Sequence, residues 1–218
     1  TVVLNGLALW KMEPRDRVRA AAPKVAAPPF RVAFGQLTAG QGMLRLLVVI
    51  GLGTAGFGMA DVLLEPFGGQ VLAMSVAQTT RLTVLLAFGS LLGFGLAARI
   101  LTRGGRPMRV ALAGAAVGVP AFGLIVAAAL VLSPLLLALA TLLAGFGAGL
   151  FGHGTLTATM RAAPRDRIGL ALGAWGAVQT TAAGIAIAVG GIIRDVMLLA
   201  PEGHSGLAAP YLPDFALE

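Results

Sequence analysis

The stretch VALAGAAVGVPAFGLIVAAALVL, Val110–Leu132, decides the class of fold: its 23 residues carry no charged and no amide side chain. A hydrocarbon core about 30 Å thick is crossed by roughly 20 apolar residues in helical form, so this stretch is long enough by itself. Working outward, four further stretches reach that length, and with the quoted run written as Arg109–Leu132 the spans are Met43–Val62, Val76–Arg99, Arg109–Leu132, Leu135–Met160 and Ile168–Leu199. The last is long enough to tilt or to project past the bilayer. The fold class expected is all-α: a polytopic transmembrane helical bundle.

Composition agrees. Of 218 residues, 57% are hydrophobic and 11% charged, with a mean hydropathy of +0.89. A soluble domain carries about 25% charged residues to coat its surface, and this chain has less than half that. The net charge of +7 raises nucleic-acid binding as a possibility, but the basic residues sit in short segments between apolar stretches, which is a topology signal. Nucleic acid is therefore not expected as a partner. The lipid bilayer is. The absence of cysteine excludes disulfides, thiolate metal sites and cysteine nucleophiles. Two histidines, His153 and His204, are too few for a multi-histidine metal site, and no metal site is expected.

Orientation follows from Lys and Arg. Lys11, Arg15, Arg17, Arg19, Lys24, Arg31 and Arg45 precede or open the first span. Arg99, Arg103, Arg106 and Arg109 bracket the second connection, and Arg161, Arg165 and Arg167 fill the fourth. These groups hold fourteen of the sixteen basic residues and occupy alternate connections of a hairpin series, so they share one side, which is expected to be the cytoplasmic one. Residues 1–10 resemble the end of a preceding transmembrane helix, 11–42 a Pro- and Ala-rich cytoplasmic linker, 43–199 the five-helix bundle, and 200–218 a loop on the other side. The chain reads as a fragment of a longer membrane protein.

The spans differ in character. The third is suited to a lipid-facing rim. The other four carry polar groups at membrane depth: Thr54 and Asp61; Gln78, Thr79, Thr80, Arg81 and Thr83; Thr141, His153, Thr155, Thr157 and Thr159; Trp175, Gln179, Thr180 and Thr181. Polar atoms are costly in lipid, so these faces should turn inward. Three small-xxx-small patterns, Gly89–Gly93, Gly145–Gly149 and Gly169–Gly173, should let helix backbones approach closely.

Charged residues gather at the non-basic end. Asp61 and Glu65 lie four apart and share a face if the first span continues that far. Arg81, Arg194 and Asp195 belong to the same boundary. The group is read as a salt-bridge lock between helix ends or as a gate that opens by breaking it. His153, between Gly152 and Gly154, is either a packed polar residue or an imidazole able to ligate a metal centre such as the magnesium of a chlorin. No nucleophile–His–acid set and no phosphate loop is present, so no catalytic residue is expected and the chain is not read as an enzyme.

Several stretches carry a resemblance. GMADVLLEPFGGQVLAMSVAQTTRLT from Gly58, GTLTATM from Gly154, GLALGAWGAVQ from Gly169 and GGIIRD from Gly190 are similar to the PucC/LhaA family of photosynthetic bacteria. That resemblance implies a branch of the major facilitator superfamily, with this chain as its C-terminal half and the five spans as helices seven to eleven. It also implies a role in assembling light-harvesting complexes, with bacteriochlorophyll as cofactor or cargo. His153 with Trp175 and Gln179 are the pigment contacts expected on that reading. Light-harvesting polypeptides or a reaction-centre/antenna complex are the implied partners, and the bacterial inner (intracytoplasmic) membrane is the implied location. The competing functions are a proton-coupled carrier of a small solute, in which Asp61, Glu65 and Arg81 would act, and a structural subunit of a photosynthetic complex.

Overall fold

The computed structural model describes residues 29–39 and 41–199. The chain divides into two units, Thr1–Gly35 and Gln36–Glu218. The helix α1 (Phe30–Thr38), which runs across that division, begins on the Pro29 carbonyl, which accepts from Val32 and Ala33. This helix lies within the region read as linker, of which residues 11–28 and 40 fall outside the described residues, as do residues 1–10 and 200–218.

The second unit is a bundle of five long helices: α2 (Gln41–Gln70), α3 (Val76–Thr102), α4 (Pro107–Leu130), α5 (Pro134–Ala162) and α6 (Ile168–Leu199), the last preceded by a 3-10 turn over Arg165–Arg167. All five are long and apolar enough to cross a membrane. Large aliphatic side chains such as Leu52, Leu112, Val119 and Leu91 stand out from the bundle more than half exposed. In water such a surface would drive aggregation; in lipid it is the proper exterior.

Helix directions follow from the close approaches. A Cβ on Gly51 would meet Val178, and one on Gly58 would meet Ala183, so α2 and α6 run parallel. Gly89 lies against Leu142 and Phe146, and Gly93 against Phe146 and Leu150, so α3 and α5 run parallel. Gly114 meets Phe151 and Gly147 while Gly154 meets Ala111, so α4 runs against α5. The Arg161 guanidinium donates to the Gly105 carbonyl at 3.2 Å, which puts the two basic connections at one end. The alternation expected from the Arg pattern is therefore the alternation observed.

Helix α5 is the central element, packed closely along both α3 and α4. Two glycine patterns make this possible. A side chain on Gly89 or Gly93 would strike the backbone of α5, and one on Gly145 or Gly149 would strike that of α3. Ser90 seals the same seam by donating to the Gly145 carbonyl at 3.1 Å. The third pattern behaves differently: nothing lies within 4 Å of a Cβ on Gly169 or Gly173.

Helix α4 packs almost wholly on α5, and the charge-free span in it is 39% buried against 11% for that in α6. Gly114 lets α4 lie close on α5 and Gly118 makes room for Phe57 of α2, with Ala121, Phe122 and Ile125 continuing into the core. Polar residues proved a poor guide to the inward face, because a hydroxyl can be satisfied by its own helix. Exposed Thr180 donates to the Gly176 carbonyl at 3.0 Å. Gln78 and Thr80 serve the start of α3: the Gln78 side chain accepts from the Ser75 N–H at 2.8 Å, half of a capping box, and the Thr80 hydroxyl donates to the Val76 carbonyl.

Helix α2 runs eight residues beyond the predicted Val62, through Pro66 to Gln70. Proline removes a helix donor and costs about 3 kcal/mol in an interior turn. Burial of Leu64, Phe67 and Val71 at helical spacing in the main core cluster supplies the offset. That cluster fills the non-basic end, with Leu82, Ile125 and Leu137, and a smaller one of Ala97, Leu101, Val110 and Leu150 fills the basic end. Between them the helices part around a cavity.

Candidate functional site

The cavity is built on the middle of α5, where Ala148, Gly152 and His153 succeed one another on one side of the helix. Helix α3 contributes Ser90 and Phe94, held against α5 by the glycine seam, and α6 contributes Trp175 and Gln179, four residues apart and so on one face. The half-open space they line is about 320 Å³. The three residues proposed from sequence, His153, Trp175 and Gln179, thus line a single space.

Each is positioned. The His153 imidazole is half-buried, with its ring centroid 5.9 Å from that of Phe94 and the planes at 70°, an edge contact. The Trp175 indole donates to the Thr155 hydroxyl at 3.3 Å, and the fully buried Thr155 hydroxyl in turn donates to the Gly152 carbonyl at 3.1 Å. Gly152 leaves room beside the imidazole: a Cβ there would meet only Phe94, at 3.8 Å. Gly154 does something else. Its missing side chain admits the backbone of α4 at Ala111, so only one of the two glycines flanking His153 clears space for it.

A second compartment of about 240 Å³ adjoins the first. Ser90, Ala148, Gly152 and Gln179 border both. Its further wall is aromatic: Phe57 of α2 is tilted against Phe151 at 5.9 Å and against Phe122 at 5.7 Å. Thr54, one turn before Phe57 on α2, completes that wall. Sequence reasoning did not place Ser90, Phe57, Phe94 or Phe151 at a site. For Ser90 a signal existed, since a hydroxyl inside Gly89–Gly93 had to lie at a helix contact; a phenylalanine in a membrane helix carries none.

The charged group at the other end is only partly described. Helix directions bring Asp61, Glu65, Arg81, Arg194 and Asp195 to the end opposite the basic connections, and the continuous α2 puts Asp61 and Glu65 one turn apart. Arg81 and Asp195 are exposed; the side chains of Asp61, Glu65 and Arg194, like His204, fall outside the described residues. An ion pair is formed at the basic end, between neighbours Arg167 and Asp166 at 3.4 Å.

The wall chemistry is mainly apolar, with a few hydrogen-bonding groups converging, the usual make-up of a site for a small organic molecule. Among the described residues there is no group of three or more His, Asp or Glu able to cage a bare ion.

The model of the family described as PUCC protein matches residues 1–218. The chain belongs to the PucC family. It is 56% identical to Protein PucC of Rhodovulum sulfidophilum over 97% of its length, covering 47% of that protein. It is 53% identical to Protein PucC of Cereibacter sphaeroides over 99% of its length, covering 47% of the relative. Against Protein PucC of Rhodobacter capsulatus it is 54% identical over its whole length, covering 48% of that protein. The chain therefore spans about half the length of the curated relatives it matches. No solved structure matches it.

Proposed function

We propose that the chain is the C-terminal half of a facilitator-type membrane protein that assists assembly of photosynthetic light-harvesting complexes by binding bacteriochlorophyll or handing it to antenna polypeptides. It would act at the inner membrane with its basic end in the cytoplasm, and it would do no covalent chemistry of its own. The observation that carries this reading is the convergence of His153, Trp175 and Gln179 on one apolar cavity at mid-depth in a PucC-family bundle.

The residues suit such a pigment. His153 is the one imidazole in the wall and would supply a nitrogen ligand to the magnesium of such a pigment. Phe94 and Trp175 offer flat apolar surface to a planar ring, and Gln179 offers a donor and an acceptor to its edge. Among the described residues the cavity wall carries no carboxylate, which favours pigment handling over a proton-coupled carrier.

The test is pigment content of the intact protein purified from photosynthetic membranes, with light-harvesting polypeptides followed by crosslinking. Wild type should retain bacteriochlorophyll and crosslink to an antenna polypeptide, and His153→Leu should lose most of the pigment without losing the protein. Retention of pigment by His153→Leu at the wild-type level would remove His153 from the site. Pigment-free wild type with no antenna contact would end the proposal.

A further inference from the structure

The basic end of the bundle carries more than a topology signal needs. Residues 99–109 and 161–167 form two connections with the helix turns that bound them, and they hold seven arginines, no lysine and one acid, Asp166. That acid is taken by its neighbour Arg167, at 3.4 Å. The Arg161 guanidinium donates to the Gly105 carbonyl and so clasps the two connections into one surface. Arg99, Arg103, Arg106, Arg109 and Arg165 are exposed, and their side chains have no hydrogen-bond or ion-pair partner among the described residues. Apolar side chains stand out beside them. Leu96 and Ile100 flank Arg99 on the last turns of α3, Met108 lies between Arg106 and Arg109 at the start of α4, and Met160 precedes Arg161 at the end of α5, each more than a third exposed.

We propose that this clasped surface binds anionic phospholipid, with the arginines holding the headgroup phosphate and the exposed Leu96, Ile100, Met108 and Met160 lying along the acyl chains. Three features choose this occupant. Seven arginines against one carboxylate, at the boundary of a membrane bundle, attract headgroups of net negative charge. The residue type is the second: orientation in the membrane is set by positive charge, which lysine supplies as well as arginine, whereas a planar guanidinium adds paired donors that match the oxygens of a phosphate. The third is the exposed hydrocarbon beside the guanidinium groups. An acidic protein segment or a free phosphate supplies charge without acyl chains; a phospholipid supplies both at one depth. The inference stands apart from pigment handling, since none of these residues borders the cavity of His153.

The experiment titrates the intact protein, in a neutral detergent, with a fluorescent phosphatidylglycerol, and with phosphatidylcholine as the zwitterionic control. Wild type should bind phosphatidylglycerol about 10-fold more tightly or better, and the preference should shrink as salt is raised. Arg103→Gln with Arg106→Gln should weaken phosphatidylglycerol binding about 10- to 30-fold, roughly a factor of five for each arginine, and leave phosphatidylcholine binding where it was. Arg103→Lys with Arg106→Lys keeps the charge without the fork and should recover only part of that loss. Equal binding of the two lipids by wild type would overturn the inference, as would a Gln pair that binds phosphatidylglycerol like wild type. Complete displacement of the lipid by inorganic phosphate, but not by chloride at the same ionic strength, would make this a free-phosphate site and overturn it too. So would crosslinking to an acidic protein segment that the Gln pair loses while its phosphatidylglycerol binding is unchanged. If the Gln pair does not fold, the comparison of the two lipids in wild type decides alone.

Discussion

Trp175 and Thr155 join α6 to the centre of the bundle through one hydrogen bond, indole Nε1 to hydroxyl Oγ1 at 3.3 Å. Helix α6 otherwise packs chiefly on α2 and touches α5 lightly, so this bond fixes the distance across the cavity between Gln179 and His153. Hydrogen bonds between membrane helices contribute about 0.6 kcal/mol on average. A double-mutant cycle of Trp175→Phe and Thr155→Val, read by unfolding in mixed detergent, is expected to give a coupling of about 0.5–1 kcal/mol. Additive effects of the two substitutions would show that the bond does not hold α6.

The glycine patterns make opposite predictions in different helices. Gly145→Ala or Gly93→Ala puts a methyl group into the backbone of the facing helix, and overpacking of that kind costs about 1–3 kcal/mol. Gly173→Ala meets nothing and should be neutral, or stabilising by up to about 1 kcal/mol through helix propensity. Thermal unfolding of the three variants in one detergent separates them. A loss at Gly173 as large as that at Gly145 would contradict the packing described.

How much of this was legible beforehand depends on what each signal measures. Apolar length located all five spans, and the Arg pattern located their ends, because both report directly on the solvent outside the helix. Polarity within a span was a weaker signal. Thr180 satisfies itself on its own helix and says nothing about facing inward, while Gly114 packs α4 tightly with no polar atom at all. His153, Trp175 and Gln179 stood out as polar groups in an apolar setting. Phe57 and Phe151, which shape half the cavity, did not, since their role depends on which helices cross beside them. Helix α2 itself continues past its apolar span, with Pro66 carried in its last turns beside the buried Leu64 and Phe67.

Two helix ends close in the same way with different residues. After α3, Gly104 adopts φ +86° and Gly105 N–H donates to the Ile100 carbonyl; after α4, Leu132 adopts φ 50° and Ser133 N–H donates to the Ala128 carbonyl. Both are the six-to-one closure of a Schellman turn, but a leucine in the left-handed region costs about 1–2 kcal/mol. Leu132 is 62% exposed, so little packing is lost on truncation. Leu132→Gly should be neutral to stabilising by up to about 1 kcal/mol, after allowing for the greater freedom of glycine in the unfolded chain. Gly104→Leu should destabilise by a similar amount or more. Unfolding midpoints of the two variants check the pair.

The proposed orientation can be read chemically, because the sequence has no cysteine of its own. A single cysteine at Arg165, exposed in the turn before α6, belongs to the end where Arg161 meets Gly105; one at Leu132 belongs to the opposite end. A membrane-impermeant maleimide added to intact cells should label Leu132→Cys and spare Arg165→Cys, and lysis should make both reactive. The reverse pattern would place the basic end outside and overturn the cytoplasmic assignment. Equal labelling of both before lysis, with an intact-membrane control, would mean that the two connections lie on one side, which five alternating spans do not allow. Adding acidic residues is a second handle on the same question. Arg103→Glu with Arg106→Glu removes two of the positive charges that hold the loop before α4 inside, so the labelled fraction of Arg165→Cys in intact cells should rise in that background while that of Leu132→Cys falls.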